Sequence, residues 1–122
     1  MKHDRSDKYF VEQIILHCQR VYDFTKRFNG NVETLLNDMA YQTCIVMCIL
    51  QIGENASKLS DAFKQRYSDQ PWDEIIKARH KMVHHYDDID VDSIWEIVSE
   101  NIPELKKYCK AILKDLPEEK LF

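Results

Sequence analysis

Residues 7–31 read DKYFVEQIILHCQRVYDFTKRFNGN, and this stretch decides the fold class. Apolar or small side chains recur in it at alternating steps of three and four: Phe10, Ile14, Cys18, Val21, Thr25 and Phe28. That spacing lines one face of a helix, so we predict an amphipathic α-helix over about residues 7–28. We expect Gly30 to take the left-handed conformation that ends this helix, and Asn31 to cap the next one.

The second segment, residues 32–67, is predicted to be one long helix with a kink or break near Gly53, because glycine weakens a helix interior. Apolar or small residues recur along it at steps of three or four: Val32, Leu35, Met39, Thr43, Val46, Leu50 and Gly53. Leu59 and Phe63 continue the series. Three methionines, Met39, Met47 and Met82, are interpreted as core packing.

Two further helices complete the pattern. One is predicted from about Trp72 to His84 or His85, and the last over residues 91–114 with a bend at Pro103, which cannot donate a helical hydrogen bond. Only 2 Gly and 3 Pro occur in 122 residues, which favours long helices over a sheet. We therefore predict one all-α domain spanning residues 1–122, an up-and-down bundle of four to five helices.

Composition excludes several classes of protein. The net charge of −4 argues against a protein that coats nucleic acid with its whole surface. No apolar run reaches the ~20 residues of a membrane helix, and no signal sequence is evident, so we expect a cytoplasmic protein. The four cysteines lie on apolar helical stripes and are predicted to be reduced, buried thiols: Cys18, Cys44, Cys48 and Cys109.

One short segment stands apart in charge. Residues 77–85 read KARHKMVHH, with three formal positive charges, three of the five histidines and no acid. Arg79 can grip a phosphate with two parallel donors, and His84 can exchange a proton near neutral pH. Tyr86 adds a hydroxyl and a ring on which a base can stack. The segment is therefore a candidate phosphate-binding site.

The helical spacing leaves this interpretation open. Arg79 and His84 lie about 140° apart around an ideal helix, so they converge only if the helix tightens or ends, or if a second subunit completes the site. Basic residues at a helix end also simply compensate the helix dipole. His80 and His84 share a face, as metal ligands do, but no third ligand pattern accompanies them, and we predict no metal site.

Two acidic residues accompany the second helix. Glu54 lies beside its apolar stripe and is interpreted as a solvated or hydrogen-bonded residue, with a supporting acid or base role as the alternative. Asp38 either faces water or points towards the basic helix.

The string from Arg79 to Tyr86 resembles the R-x-x-x-x-H-x-Y motif of HepT-like proteins, which belong to the HEPN superfamily of small helical bundles. The likeness runs through most of the chain and includes Asp38, Ala40, Ile52-Gly53-Glu54-Asn55-Ala56, Pro71-Trp72, Ile89-Asp90, Trp95 and Ile102-Pro103-Glu104-Leu105.

The resemblance implies a metal-independent endoribonuclease that needs no cofactor. His84 corresponds to the general base that acts on a ribose 2′-OH, and Arg79 to the residue that stabilises charge on the phosphate. Lys77 and Lys81 are expected to contact RNA phosphate. The motif often has Asn where this chain has His80, which leaves the acid and base roles open between His80 and His84.

The resemblance also implies partners. HepT-like proteins are the toxins of toxin–antitoxin pairs of type VII, encoded beside a minimal nucleotidyltransferase antitoxin. They form homodimers in which two motifs line one cleft. Tyr86 resembles the tyrosine that the antitoxin modifies with AMP, which would block RNA by bulk and negative charge. The alternative is a non-catalytic dimeric module that binds a nucleotidyltransferase or a nucleotide.

Overall fold

The computed structural model describes residues 6–84 and 90–116, without the side chains of residues 83 and 84. This part of the chain contains no β-strand, which confirms the all-α prediction. Its helices are α1 (Asp7–Arg27), α2 (Val32–Asn37), α3 (Met39–Ser57), α4 (Asp61–Arg66), α5 (Trp72–His84), α6 (Val91–Glu96) and α7 (Ile102–Asp115), with a π-helical turn (Ile97–Asn101) between the last two.

The helix α1 ends close to the predicted position, but the left-handed conformation at its end belongs to a different residue. Asn29, not Gly30, has the positive φ of 50°. The Gly30 N–H donates to the Thr25 carbonyl at 2.7 Å, which completes a Schellman motif. Gly30 is needed for a different reason, because a Cβ there would overlap the Tyr41 side chain. Asn31 caps α2 as predicted, with its Oδ1 accepting from the Thr34 N–H at 2.9 Å.

The prediction of one helix over residues 32–67 is wrong, because polar side chains divide this segment twice. Asp38 leaves the helical conformation and accepts from the backbone N–H groups of Ala40 and Tyr41 at 3.0 and 3.3 Å, so it caps α3. Ser60 caps α4 and is itself held by Asp7, whose carboxylate accepts from the Ser60 N–H and hydroxyl at 2.8 and 2.7 Å. The chain does not break at Gly53, which stays inside α3.

The regular α-helix is interrupted just before Pro103, where the sequence predicts a bend or break. Pro103 lacks an N–H, and its ring collides with the carbonyl four residues earlier in a regular α-helix. The chain widens into the π-helical turn just before it, where the Ile102 N–H donates to the Ile97 carbonyl five residues back. One long helix thereby becomes α6 and α7.

The core lies between α1, α3 and α7, and α5 packs on the other side of α3. Cys18, Cys48 and Cys109 are buried in it and Cys44 is half-buried, all four as free thiols. Burial raises the pKa of Cys48 to about 11 and that of Cys109 to about 12. Cys48 and Cys109 are therefore protonated packing groups, as predicted, and not nucleophiles.

Of the three methionines predicted to lie in the core, one does and two do not. Met82 is buried, as expected, but Met39 is 78% exposed and Met47 is 52% exposed, so their assignment to the core is wrong. The helix α3 carries two apolar stripes. The buried one consists of Tyr41, Ile45, Cys48, Ile49, Ile52 and Ala56. The predicted series begins on the outer face of α3, where Met39 and Thr43 are exposed, and ends at the buried Gly53. No helix in the described ranges is long and apolar enough to cross a membrane.

Candidate active site

The helix α5 carries the basic segment, and its first turn explains its position. Trp72 is buried, and its indole N–H donates to the Tyr67 carbonyl at 3.0 Å, which anchors the start of the helix. Asp73 and Glu74 follow in the first turn, where the helix dipole favours acids. The positively charged residues come after this first turn: Lys77 and Lys81 are exposed and one turn apart.

Arg79 faces α3, where it meets Glu54. Its Nε lies 3.0 Å from Glu54 Oε2, and the two side chains are 36% and 38% exposed. Lys58, the residue that follows α3, places its Nζ 3.8 Å from the other carboxylate oxygen, Oε1. The structure thus brings together two of the predicted site residues, and it adds Lys58, which sequence reasoning missed.

Gly53 sets the distance between α3 and α5. A Cβ at Gly53 would overlap the Cβ of Arg79 and lie 3.1 and 3.2 Å from its Cγ and Cδ. The aliphatic stem of Arg79 therefore rests directly on the backbone of α3. A sequence can show that Gly53 and Glu54 are neighbours, but it does not show which helix packs against them.

Asp38 is not brought to Arg79 within one chain. It caps the start of α3, whereas Glu54, the partner of Arg79, lies in the last turn of the same helix. At a rise of about 1.5 Å per residue these two positions are about 24 Å apart. The Asp38 carboxylate oxygen that accepts from the backbone stabilises the helix end.

The backbone of α5 remains α-helical through His84, so the helix does not tighten between Arg79 and His84. These two positions therefore stay about 140° apart around the axis. By the same periodicity, positions 77, 81 and 84 lie about 140–160° from Arg79 around α5, and position 80 lies between the two sides, about 100° from Arg79. His80 is exposed there, while the side chain of His84 and the whole of Tyr86 lie outside the described residues.

The described ranges contain no group of three or more His, Cys, Asp or Glu side chains placed to hold a metal ion. The predictions of no metal and of roles for His80, His84 and Tyr86 remain predictions.

Comparison with known proteins supports the resemblance. The family model described as Ribonuclease HepT-like matches residues 14–112. A candidate RNase of Methanocaldococcus jannaschii is 30% identical over 115 residues, which cover 94% of this chain and 97% of the relative. A candidate ribonuclease HepT of Thermococcus cleftensis is 31% identical over 102 residues, covering 84% and 91%. No solved structure matches the chain. Since the family model covers most of its length, the chain belongs to the HepT-like family of the HEPN superfamily.

Proposed function

We propose that this protein is the toxin of a toxin–antitoxin pair and cleaves RNA without a metal ion. The observation that carries the proposal is Arg79, held by Glu54 at the edge of the basic helix α5 with a third of its side chain open to solvent. A guanidinium in that setting can stabilise the charge that develops on a phosphate. The membership of the HepT-like family supports the choice of RNA as substrate.

The reaction would start at a ribose 2′-OH. His84 takes the proton, and the 2′ oxygen attacks the adjacent phosphorus while Arg79 stabilises the negative charge on the phosphate oxygens. The bond from phosphorus to the 5′ oxygen then breaks, and that oxygen takes a proton from the histidinium of His80; the alternative is that His80 and His84 exchange these two roles. The products are a 2′,3′-cyclic phosphate and a free 5′-OH. Lys77 and Lys81 contact neighbouring phosphates.

We expect purified protein to cleave RNA in excess EDTA, and His84→Ala and Arg79→Ala each to lower the rate by about 10²–10⁴-fold, the range for loss of a proton-transfer group or an oxyanion donor. The assay follows the 5′-OH ends released from tRNA and mRNA. Both variants are purified in the same way and serve as controls for contaminating nuclease.

Persistent cleavage by His84→Ala contradicts this mechanism, and so does loss of wild-type cleavage in EDTA. Tight binding of the nucleotidyltransferase without any cleavage supports the non-catalytic module instead. Comparing His80→Asn with His84→Ala assigns the acid and base roles.

We further propose that the protein is a homodimer that meets through the outer face of α3. The stretch Met39–Gly53 contains no Asp, Glu, Lys or Arg, although 31% of the chain is charged. Met39 and Met47 are exposed on this face, and Leu36 is 63% exposed just before it. Exposed apolar side chains grouped on one surface mark sites of protein–protein contact. An uncharged face can meet its own copy across a two-fold axis without like-charge repulsion.

The same face leads to the site. Met47 and Glu54 are seven residues apart, which is about two helical turns, and therefore lie on one side of α3. A second copy packed on Met47 would reach the pair of Glu54 and Arg79. The two copies would then join Arg79 of one chain to His84 of the partner subunit, which answers the wide angle between these two positions within a single α5.

We expect Met47→Glu, alone or with Met39→Glu, to convert a dimer into a folded monomer, because a buried unpaired charge is costly at an interface and harmless on an exposed helix. Sedimentation at micromolar concentration measures the mass, and circular dichroism checks the fold. Tyr22→Glu on α1, where the wild-type side chain is 59% exposed, is the matched control and should remain dimeric. A monomeric wild type, or a dimeric double variant, excludes this interface.

Regulation by the nucleotidyltransferase antitoxin is proposed at Tyr86. AMP attached there would add bulk and negative charge two residues after α5, where RNA phosphate is proposed to bind. This assignment is supported by the R-x-x-x-x-H-x-Y motif.

Co-expression with the neighbouring nucleotidyltransferase gene should raise the intact mass of this protein by one or more AMP units and abolish cleavage. Peptide mapping should locate the increment on Tyr86, and Tyr86→Phe should show neither change. An increment elsewhere, or inhibition of Tyr86→Phe to the same extent, contradicts the proposed switch.

A further inference from the structure

We infer that Glu54 is a positioning residue for Arg79: it holds the guanidinium by its inner edge, so that the outer edge is presented to an RNA phosphate. This inference rests on the proposed ribonuclease function and gives Glu54 a role different from that of an acid or base. It also gives a reason for the glycine that precedes it.

The geometry leaves the useful donors of Arg79 available. Glu54 Oε2 lies 3.0 Å from Nε, which carries a single N–H. The salt bridge engages this inner edge, and no second ion pair of Arg79 occurs among the described residues. The two terminal nitrogens carry the remaining four N–H donors, and together they form the fork that binds two oxygens of one phosphate.

Gly53 holds the other end of the same side chain. The Cβ, Cγ and Cδ of Arg79 lie against its backbone, where any larger residue would overlap them. The stem is thus fixed by packing and the head by Glu54, which limits the rotamers open to a long side chain. Adjacent positions of α3 therefore set both the depth and the direction of the guanidinium.

The charges of the cluster remain suited to an anion. Arg79 and Lys58 carry one positive charge each and Glu54 one negative charge, so the three side chains sum to +1. Both carboxylate oxygens face a cation, Oε2 towards Arg79 and Oε1 towards Lys58. Glu54 is occupied as an acceptor, and this arrangement fits orientation rather than proton transfer.

Exposure separates this role from a structural one. All three side chains are at least 36% exposed, and ion pairs between such groups contribute little to stability. Loss of Glu54 should therefore leave the protein folded. Loss of the orientation of Arg79 should instead lower the rate of cleavage, because a small misplacement of a group that acts on the transition state costs up to about 10²-fold in rate.

The test compares Glu54→Ala with Glu54→Gln, which keeps an oxygen that can accept from Nε. We expect Glu54→Ala to lower kcat for RNA cleavage by roughly 10–100-fold with little change in KM, and Glu54→Gln to recover most of that loss. Asp61→Asn is the matched acidic control, because Asp61 is 97% exposed and forms its ion pair with Lys64 of its own helix; the kcat of this variant should be unchanged. The unfolding midpoints of the Glu54 variants should stay close to wild type. Adding Glu54→Ala to Arg79→Ala should cost nothing more, since Glu54 acts through Arg79.

A readout without RNA separates the two proposals. The Arg79 Nε–H signal in ¹⁵N NMR should exchange slowly with water in wild type, faster in Glu54→Ala and at an intermediate rate in Glu54→Gln. Unchanged exchange in Glu54→Ala, or an unchanged kcat in that folded variant, overturns the positioning role. If the NMR signals behave as expected but wild type cleaves no RNA, the ribonuclease proposal fails while the orientation of Arg79 by Glu54 stands.

Discussion

The close contact between α3 and α5 at Gly53 is the constraint on which the rest of the site depends. It lets the stem of Arg79 lie on the backbone of α3 and brings its guanidinium within 3.0 Å of Glu54. The helix α3 is in turn fixed by its buried stripe against α1, so the core determines where the basic helix lies. Gly53 thereby connects the packing of the bundle to the placement of the Arg79 guanidinium.

Helices governed by local signals could be predicted from the sequence. The bounds of α1 and α5 and the bend before Pro103 follow from periodicity, caps and a missing N–H. The division of residues 32–67 could not be predicted in the same way, because one break depends on Ser60, which is held by Asp7 from a distant part of the chain. The wrong assignment of Met39 had another cause. Two apolar stripes run along α3, and periodicity does not say which of them faces the core.

The candidate site, too, could be predicted from the sequence only in part. Arg79 and the basic segment were evident from charge, and a supporting role for Glu54 was the alternative to a solvated residue, but their pairing required the packing of α5 on α3. Lys58 was missed, although its spacing of four from Glu54 was a usable signal. The outer stripe of α3 that misled the core prediction is also the main support for the proposed dimer, since an uncharged and exposed face calls for a partner.

The central claim is that Arg79 of one chain works with His84 of the partner subunit, and mixing two inactive variants tests it most directly. Arg79→Ala and His84→Ala are co-expressed so that mixed dimers form. One intact composite site in each mixed dimer predicts recovery of about a quarter of wild-type cleavage, because half of randomly paired dimers are mixed. If the mixed dimers form and show no more cleavage than either variant alone, Arg79 and His84 do not act across the interface and the account is contradicted.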